Sequence, residues 1–188
     1  MRKGMTVFLT GYSAAGKTTI AEALRSRLVD AGEDRHVSIL DGDILRNEIS
    51  RDLGFSRDDR EEQLRRVGVI ASQITSRGGI VICALIAPYQ TSRDDIRDLV
   101  GKYGDYVEVY VSTPLEVCET RDKKGLYKKA RLGEITEFTG ISAPYEIPLS
   151  PEIIVDSTCL PPSGIVELIM HYLADHGFVR DWRKEGAL

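Results

Sequence analysis

Eight residues near the start of the chain, Gly11-Tyr12-Ser13-Ala14-Ala15-Gly16-Lys17-Thr18, constrain its fold more than any other feature. They match the phosphate-binding loop pattern G-x-x-x-x-G-K-S/T. They also sit where that pattern carries meaning, directly after the strand-like run Met5–Thr10 and directly before an amphipathic helix pattern. In that setting the glycines let the backbone curl so that successive N–H groups point at phosphate oxygens. The helix N-terminus adds its partial positive charge. Lys17 can reach the β- and γ-phosphates, and the Thr18 hydroxyl can join a Mg²⁺ shell. The expected ligand is a nucleoside triphosphate.

The rest of the chain supplies the setting such a loop needs. Met5–Thr10, His36–Leu40, Gly79–Leu85, Tyr106–Val111 and Glu152–Val155 read as strands. The third is apolar throughout, as a strand covered on both faces would be, whereas Glu108 in the fourth predicts partial exposure. Helical periodicity follows Lys17, with Ile20, Ala23, Leu24, Leu28 and Ala31 on one stripe before Gly32. It returns over Asp58–Arg77 with Leu64, Val67, Ile70, Ala71 and Ile74. Thr113-Pro114-Leu115-Glu116 reads as a helix start with a capping hydroxyl, and Pro161-Pro162 opens a last helix. Strands alternating with helices predict one α/β domain over 1–188. Its architecture is a three-layer, P-loop NTPase-like fold with a mostly parallel five-stranded sheet and helices on both faces. The segment from about 121 to 145 breaks the rhythm. It is basic and glycine-containing, and a loop of that length in a compact domain reads as a lid.

Composition narrows the partners. With 25 Lys+Arg against 29 Asp+Glu the net charge is −4, which argues against coating nucleic acid by bulk charge. No apolar run approaches a membrane span, and the N-terminus does not read as a signal sequence. Cys83, Cys118 and Cys159 form neither a metal pair nor a disulfide framework, so a cytoplasmic location is expected and Cys83 reads as core. His36, His171 and His176 lack ligand-like spacing, and the tail Arg180–Leu188, with Trp182, reads as a docked or frayed terminus.

Two further features bear on chemistry. Asp41-Gly42-Asp43, with Arg46 one turn later, ends the second strand beside the phosphate loop, the edge where open α/β sheets bind ligands. It reads either as a turn or helix cap or as a site for metal and an attacking hydroxyl. Basic residues gather on the 58–77 helix (Arg60, Arg65, Arg66) and in the 121–145 segment (Arg121, Lys123, Lys124, Lys128, Lys129, Arg131). On the helix they read equally as a solvated face. In the segment they suit a phosphoryl-transfer site whose acceptor is itself anionic.

Taken with the blocks LDGDxxR (Leu40–Arg46), DLGFSxxDR (Asp52–Arg60), RDxKGLYKKAR (Arg121–Arg131) and EFTGIxAPYE (Glu137–Glu146), the chain resembles the adenylylsulfate (APS) kinase family. The likeness runs roughly from Thr6 to Leu173. It implies ATP-dependent phosphorylation of the ribose 3′-hydroxyl of APS to give PAPS, with Mg²⁺ as cofactor. It further implies a homodimer and association with ATP sulfurylase. Gly11 to Thr19 would hold ATP and Mg²⁺ (Gly11, Tyr12, Ser13, Ala14, Ala15, Gly16, Lys17, Thr18, Thr19), joined by Arg121. Lys17 and Asp41 would be catalytic, with Thr18 and Asp41 near the metal. Asp43, Arg46, Phe55, Arg60, Gln63, Ile86, Lys129 and Phe138 would bind APS: the two arginines at its phosphosulfate, the two phenylalanines around its adenine. The chain departs from the family's pattern at three positions. Ala87-Pro88-Tyr89-Gln90 replaces Ser-Pro-Tyr-Arg, so the serine often described as a phosphorylated intermediate is absent and one positive charge is lost. Gln63 stands where an Asn usually contacts APS. The readings held beside this one are a P-loop kinase acting on another small hydroxyl compound or nucleotide, and a regulatory nucleotide-binding domain of a bifunctional sulfurylase/kinase.

Overall fold

In the computed structural model, which describes residues 2–184, all five strands lie parallel in one sheet of order β2-β3-β1-β4-β5. They are β1 (Met5–Thr10), β2 (Val37–Asp41), β3 (Ile80–Ala84), β4 (Asp105–Val111) and β5 (Ile153–Val155). The helices are α1 (Lys17–Asp30), α2 (Gly42–Glu48), α3 (Arg57–Ser76), α4 (Gln90–Gly101), α5 (Leu115–Thr120), α6 (Leu126–Arg131) and α7 (Pro162–Asp175), with a last 3₁₀ turn at Trp182–Lys184.

The two-residue period of the strands divides their side chains between two cores. Met5, Val7, Leu9, Ile80 and Ile82 face α1 and α7, where Ile20, Leu24, Leu28, Ile165 and Ile169 meet them. Phe8, Val81 and Cys83 face α3 and α4, against Leu64, Val67, Ala71, Ile96 and Val100. Central strands buried on both sides account for the unbroken apolar run at Ile80–Ala84. Truncating any of these leucines or isoleucines to alanine would cost about 2–5 kcal/mol. Ser56 caps α3 in a reciprocal capping box with Asp59, and Pro162 opens α7.

Several expectations are corrected. Glu108 is only 2% exposed: on β4 its position alternates toward α4, where Arg93 and Arg97 supply countercharges. Thr113 does not cap α5. The N-cap is Pro114, and the Thr113 hydroxyl turns inward to the Ala15 carbonyl at 3.1 Å. The 121–145 segment is not wholly irregular, because α6 lies within it. Helices α2 and α4 were not expected. Trp182 is docked, with the Arg27 guanidinium 4.7 Å from its ring centroid, while residues 185–188 of the tail lie outside the described residues. No helix among the described residues is long and apolar enough to cross a membrane.

Candidate active site

The C-terminal ends of β1, β2 and β3 carry the phosphate loop, Asp41 and Ile86 to one edge of the sheet. Gly11 leaves β1 so close to β4 that a Cβ would lie 2.5 Å from the Val111 carbonyl oxygen. Gly16 takes φ +104° where α1 begins, a left-handed turn that glycine makes without strain. Lys17 folds back over the loop and donates to the carbonyls of Gly11 (2.9 Å) and Tyr12 (2.6 Å). Burial pulls its pKa down to about 8, against the pull of nearby acidic groups including Asp43 and Asp41. A buried ammonium held by neutral carbonyls favours an arriving polyphosphate. Behind the loop, the Thr113 and Ser157 hydroxyls donate to the Ala15 carbonyl, each at 3.1 Å, and Arg121 donates to Ser157 Oγ at 2.6 Å.

Asp41 caps a helix, as one of its two sequence readings has it, and also faces the start of α1. Its Oδ1 accepts from the backbone N–H of Asp43 (2.9 Å) and Ile44 (3.3 Å), capping α2. Its Oδ2 accepts from Thr18 Oγ1 at 2.6 Å, which sets two hard oxygens side by side at the start of α1. Among the described residues no group of three or more His, Cys, Asp or Glu could cage a metal. One carboxylate and one hydroxyl beside a phosphate loop nevertheless suit Mg²⁺, which keeps waters and takes much of its shell from substrate phosphates.

Of the residues expected at the acceptor, Phe55 and Gln63 contact Arg46 or Arg60 directly, and Phe138 lies between two residues that Arg60 holds. Arg46, on α2, donates to the Gly54 carbonyl (2.5 Å) and to Gln63 Oε1, with its guanidinium 4.5 Å from the centroid of the exposed Phe55 ring. Gln63 is buried and donates in turn to the Gly42 carbonyl at 3.0 Å. Arg60 donates to the Phe55 carbonyl (2.9 Å), to Thr139 Oγ1 (2.7 Å) and to the Glu137 carbonyl. One guanidinium therefore ties the backbone at Phe55 to the residues on either side of Phe138. Burial lowers the pKa of both arginines, and the charge of Arg60 presses on Arg46 as well. Two like charges partly withdrawn from water favour an anion between or beside them. Arg65 and Arg66 play no part, since both pair with Glu62 and Arg66 also with Asp52 on the outer face.

Helix α6 adjoins the phosphate loop, where the Tyr127 hydroxyl donates to the Ser13 carbonyl. Asp122 accepts from the N–H of Leu126 (3.0 Å) and Tyr127 (2.7 Å), and Lys124 reaches Asp43 at 2.5 Å. Lys129 is exposed on the same helix, and Ile86 is half-buried.

Sequence reasoning missed the buried network behind Ile86. Arg93, 1% exposed on α4, donates to the carbonyls of Ala87 (2.7 Å) and Glu146 (2.8 Å) and to Gln90 Oε1 (2.7 Å). Its Nε lies 3.2 Å from Glu108 Oε1 without hydrogen-bond alignment, so that contact is Coulombic. Thr10 Oγ1 donates to the Ile86 carbonyl at 2.6 Å and meets the Tyr145 hydroxyl at 2.9 Å. These bonds hold Ala87 at φ +46°, a left-handed conformation costly for a residue with a Cβ. The only hint in the sequence was an acidic residue, Glu108, inside an otherwise apolar strand.

The family model described as adenylylsulphate kinase matches residues 3–156. The chain is 45% identical over 179 residues to an adenylyl-sulfate kinase of Gloeothece citriformis, covering 95% of this chain and 99% of that protein. It is 46% identical over 178 residues to a sulfate adenylyltransferase of Chaetomium globosum, covering 95% of this chain but 31% of that longer protein. An APS kinase of Mycobacterium tuberculosis, solved with AMPPNP and APS, superimposes with a TM-score of 0.86 at 37% identity, over 92% of this chain and 99% of the other.

Proposed function

This chain belongs to the adenylylsulphate kinase family, and we propose from that premise how its own residues carry out the transfer. ATP gives its γ-phosphoryl group to the ribose 3′-hydroxyl of APS; the bond to the β-phosphate oxygen breaks, and ADP and PAPS leave. Residues Gly11–Thr19 cradle the polyphosphate through backbone N–H groups and the N-terminus of α1. Lys17 exchanges its two carbonyl partners for phosphate oxygens. Thr18 and Asp41 would hold a Mg²⁺ beside the polyphosphate. The chemistry a Mg²⁺ there would supply is neutralisation of charge on the β- and γ-phosphates. Asp41 also helps activate the acceptor hydroxyl.

Arg46 and Arg60 offer positive charge to the phosphosulfate. Phe55 and Phe138 offer aromatic faces to the adenine, with Asp43, Gln63, Ile86 and Lys129 completing the acceptor site. Segment 121–145 covers both nucleotides, and Arg121 joins the donor side. Because Ala87 carries no hydroxyl, transfer is direct and in line, with both nucleotides bound together. Catalysis is then mostly positioning and charge neutralisation. The likeness to one part of a sulfate adenylyltransferase supports association with an ATP sulfurylase, the source of the acceptor.

The observation that carries this reading is the pairing of Thr18 with Asp41 next to Lys17, together with the cluster in which Arg46 lies over Phe55 and Arg60 holds the residues flanking Phe138. Coupled release of ADP, measured with and without APS, tests it. Turnover should require APS and yield PAPS in equal amount. ADP formed at the same rate without APS, or preferentially with another hydroxyl acceptor, would refute the assignment.

A further inference from the structure

One side chain touches both halves of the site. Tyr127, on α6, is 1% exposed. Its hydroxyl donates to the carbonyl of Ser13, inside the phosphate loop, at 3.0 Å. Its ring meets Phe138 edge-on, with centroids 4.9 Å apart and planes at 76°. Both contacts are directional. A buried phenol loses heavily if its hydroxyl finds no acceptor, so Tyr127 must follow the Ser13 carbonyl. The edge of one aromatic ring against another favours one approach, so Phe138 follows Tyr127. Burial raises the Tyr127 pKa above that of an ordinary phenol.

The flanks of this bridge are fixed, so displacement at one end is transmitted to the other. Asp122 pins the N-terminus of α6, and Arg121 beside it is held by Ser157. Phe138 donates its N–H to Ser142 Oγ at 2.9 Å, and Arg60 holds the residues on either side of it. When phosphates draw the loop N–H groups toward themselves, the intervening carbonyls, Ser13 among them, are fixed in orientation.

We propose that Tyr127 is a positioning residue that couples occupancy of the phosphate loop to the aromatic wall at Phe138, so that ATP and APS each raise the other's affinity. The inference rests on the assignment of Phe138 to the acceptor base made above. It adds a thermodynamic link between the two sites, which must be reciprocal if it exists.

Calorimetric titration of APS with and without saturating AMPPNP measures the link as a ratio of affinities. The unmodified chain should bind APS about five-fold or more tightly with AMPPNP present, the lower end of typical coupling between sites. Tyr127→Phe keeps the ring and removes only the hydroxyl, and should bring that ratio close to one while the cooperative thermal melt is retained. Phe138→Leu keeps apolar volume but loses the aromatic edge. It should collapse the ratio too, and it carries the test if Tyr127→Phe fails to fold. A role in stability alone would lower the melting temperature and leave the ratio standing. A ratio within two-fold of the unmodified value in either folded variant would overturn the coupling, as would a ratio of one in the unmodified chain. Failure of the unmodified chain to bind APS at all would overturn the acceptor assignment, and the coupling with it.

Discussion

Replacing Asp41 separates two tasks that the structure gives to one carboxylate. Oδ1 caps α2 through the N–H groups of Asp43 and Ile44, and Oδ2 receives the Thr18 hydroxyl. Asparagine caps helices as well as aspartate does, so Asp41→Asn keeps the cap and loses only the charge at the helix N-terminus, about 0.3–1 kcal/mol. Asp41→Ala loses the cap as well, a further ~1 kcal/mol. For a chain of 188 residues each kcal/mol moves the melting temperature by about 2–4 °C, so calorimetry should rank the alanine variant clearly below the asparagine one. Activity should not follow that ranking. Both variants remove the carboxylate from Thr18 and from the acceptor hydroxyl, and an assisting group of this kind contributes roughly 10²–10⁴ in rate. The expected signature is therefore an equal loss of kcat, at least about a hundred-fold, with a raised Mg²⁺ requirement in both and unequal melting temperatures. An Asp41→Asn enzyme with a near-normal rate and normal Mg²⁺ dependence would refute the reasoning and leave Asp41 as a helix cap alone.

Lys17→Ala should abolish turnover with the thermal melt preserved, since among the described residues Lys17 hydrogen-bonds to loop carbonyls alone; near-normal kcat would reject the donor-site mechanism. Burial holds the Lys17 pKa at about 8, below its unfolded value of about 10.4, so the unfolded chain binds more protons between those limits. Lys17 therefore adds stability as pH rises through that window, whereas kcat/KM for ATP should fall above about pH 8 as the ammonium is lost; a profile flat to pH 10 would contradict this. Phe138→Ala should weaken APS about five- to a hundred-fold, matching the ~1–3 kcal/mol of base stacking, and ATP much less; calorimetry showing the reverse would move the ring to the other nucleotide. With Ala87 in place of a serine, initial-rate lines should intersect and γ-labelled ATP alone should leave the protein unlabelled. Parallel lines with a competent phosphoprotein would redirect the search to another nucleophile such as Ser13 or Ser92.

The legible parts of the chain were those whose physics is local. A phosphate loop needs a strand before it, glycines at fixed positions and a helix after it, all within about twenty residues. The strands announced themselves because central parallel strands are buried on both faces and so cannot carry polar residues cheaply. Helix α4 escaped for the opposite reason. Its inward positions are Ser92, Arg93, Ile96 and Val100, so half of its buried face is polar and the apolar signal is confined to its C-terminal half. Helix α2 is only Gly42–Glu48, too short for periodicity to register, and was visible only as a possible cap at Asp41.

What could not be read was where each charge would find its partner. Arg60, Arg65 and Arg66 are near neighbours on α3, yet at 3.6 residues per turn Arg65 and Arg66 point about 140° and about 240° round the helix from Arg60. Two of them therefore meet acids on the surface, while the third meets Phe55, Glu137 and Thr139 at the site. Glu108 misled for a related reason. An isolated carboxylate in a strand belongs at the surface, because burying it unpaired would cost far more than a strand can return. That inference fails when another element brings the countercharge, and Arg93 and Arg97 on α4 do so after the chain has folded. Removing Glu108 would leave the buried Arg93 charge without its countercharge, a loss of roughly 3–5 kcal/mol. The pair therefore ties the left-handed turn at Ala87, and the acceptor loop it begins, to the stability of the sheet.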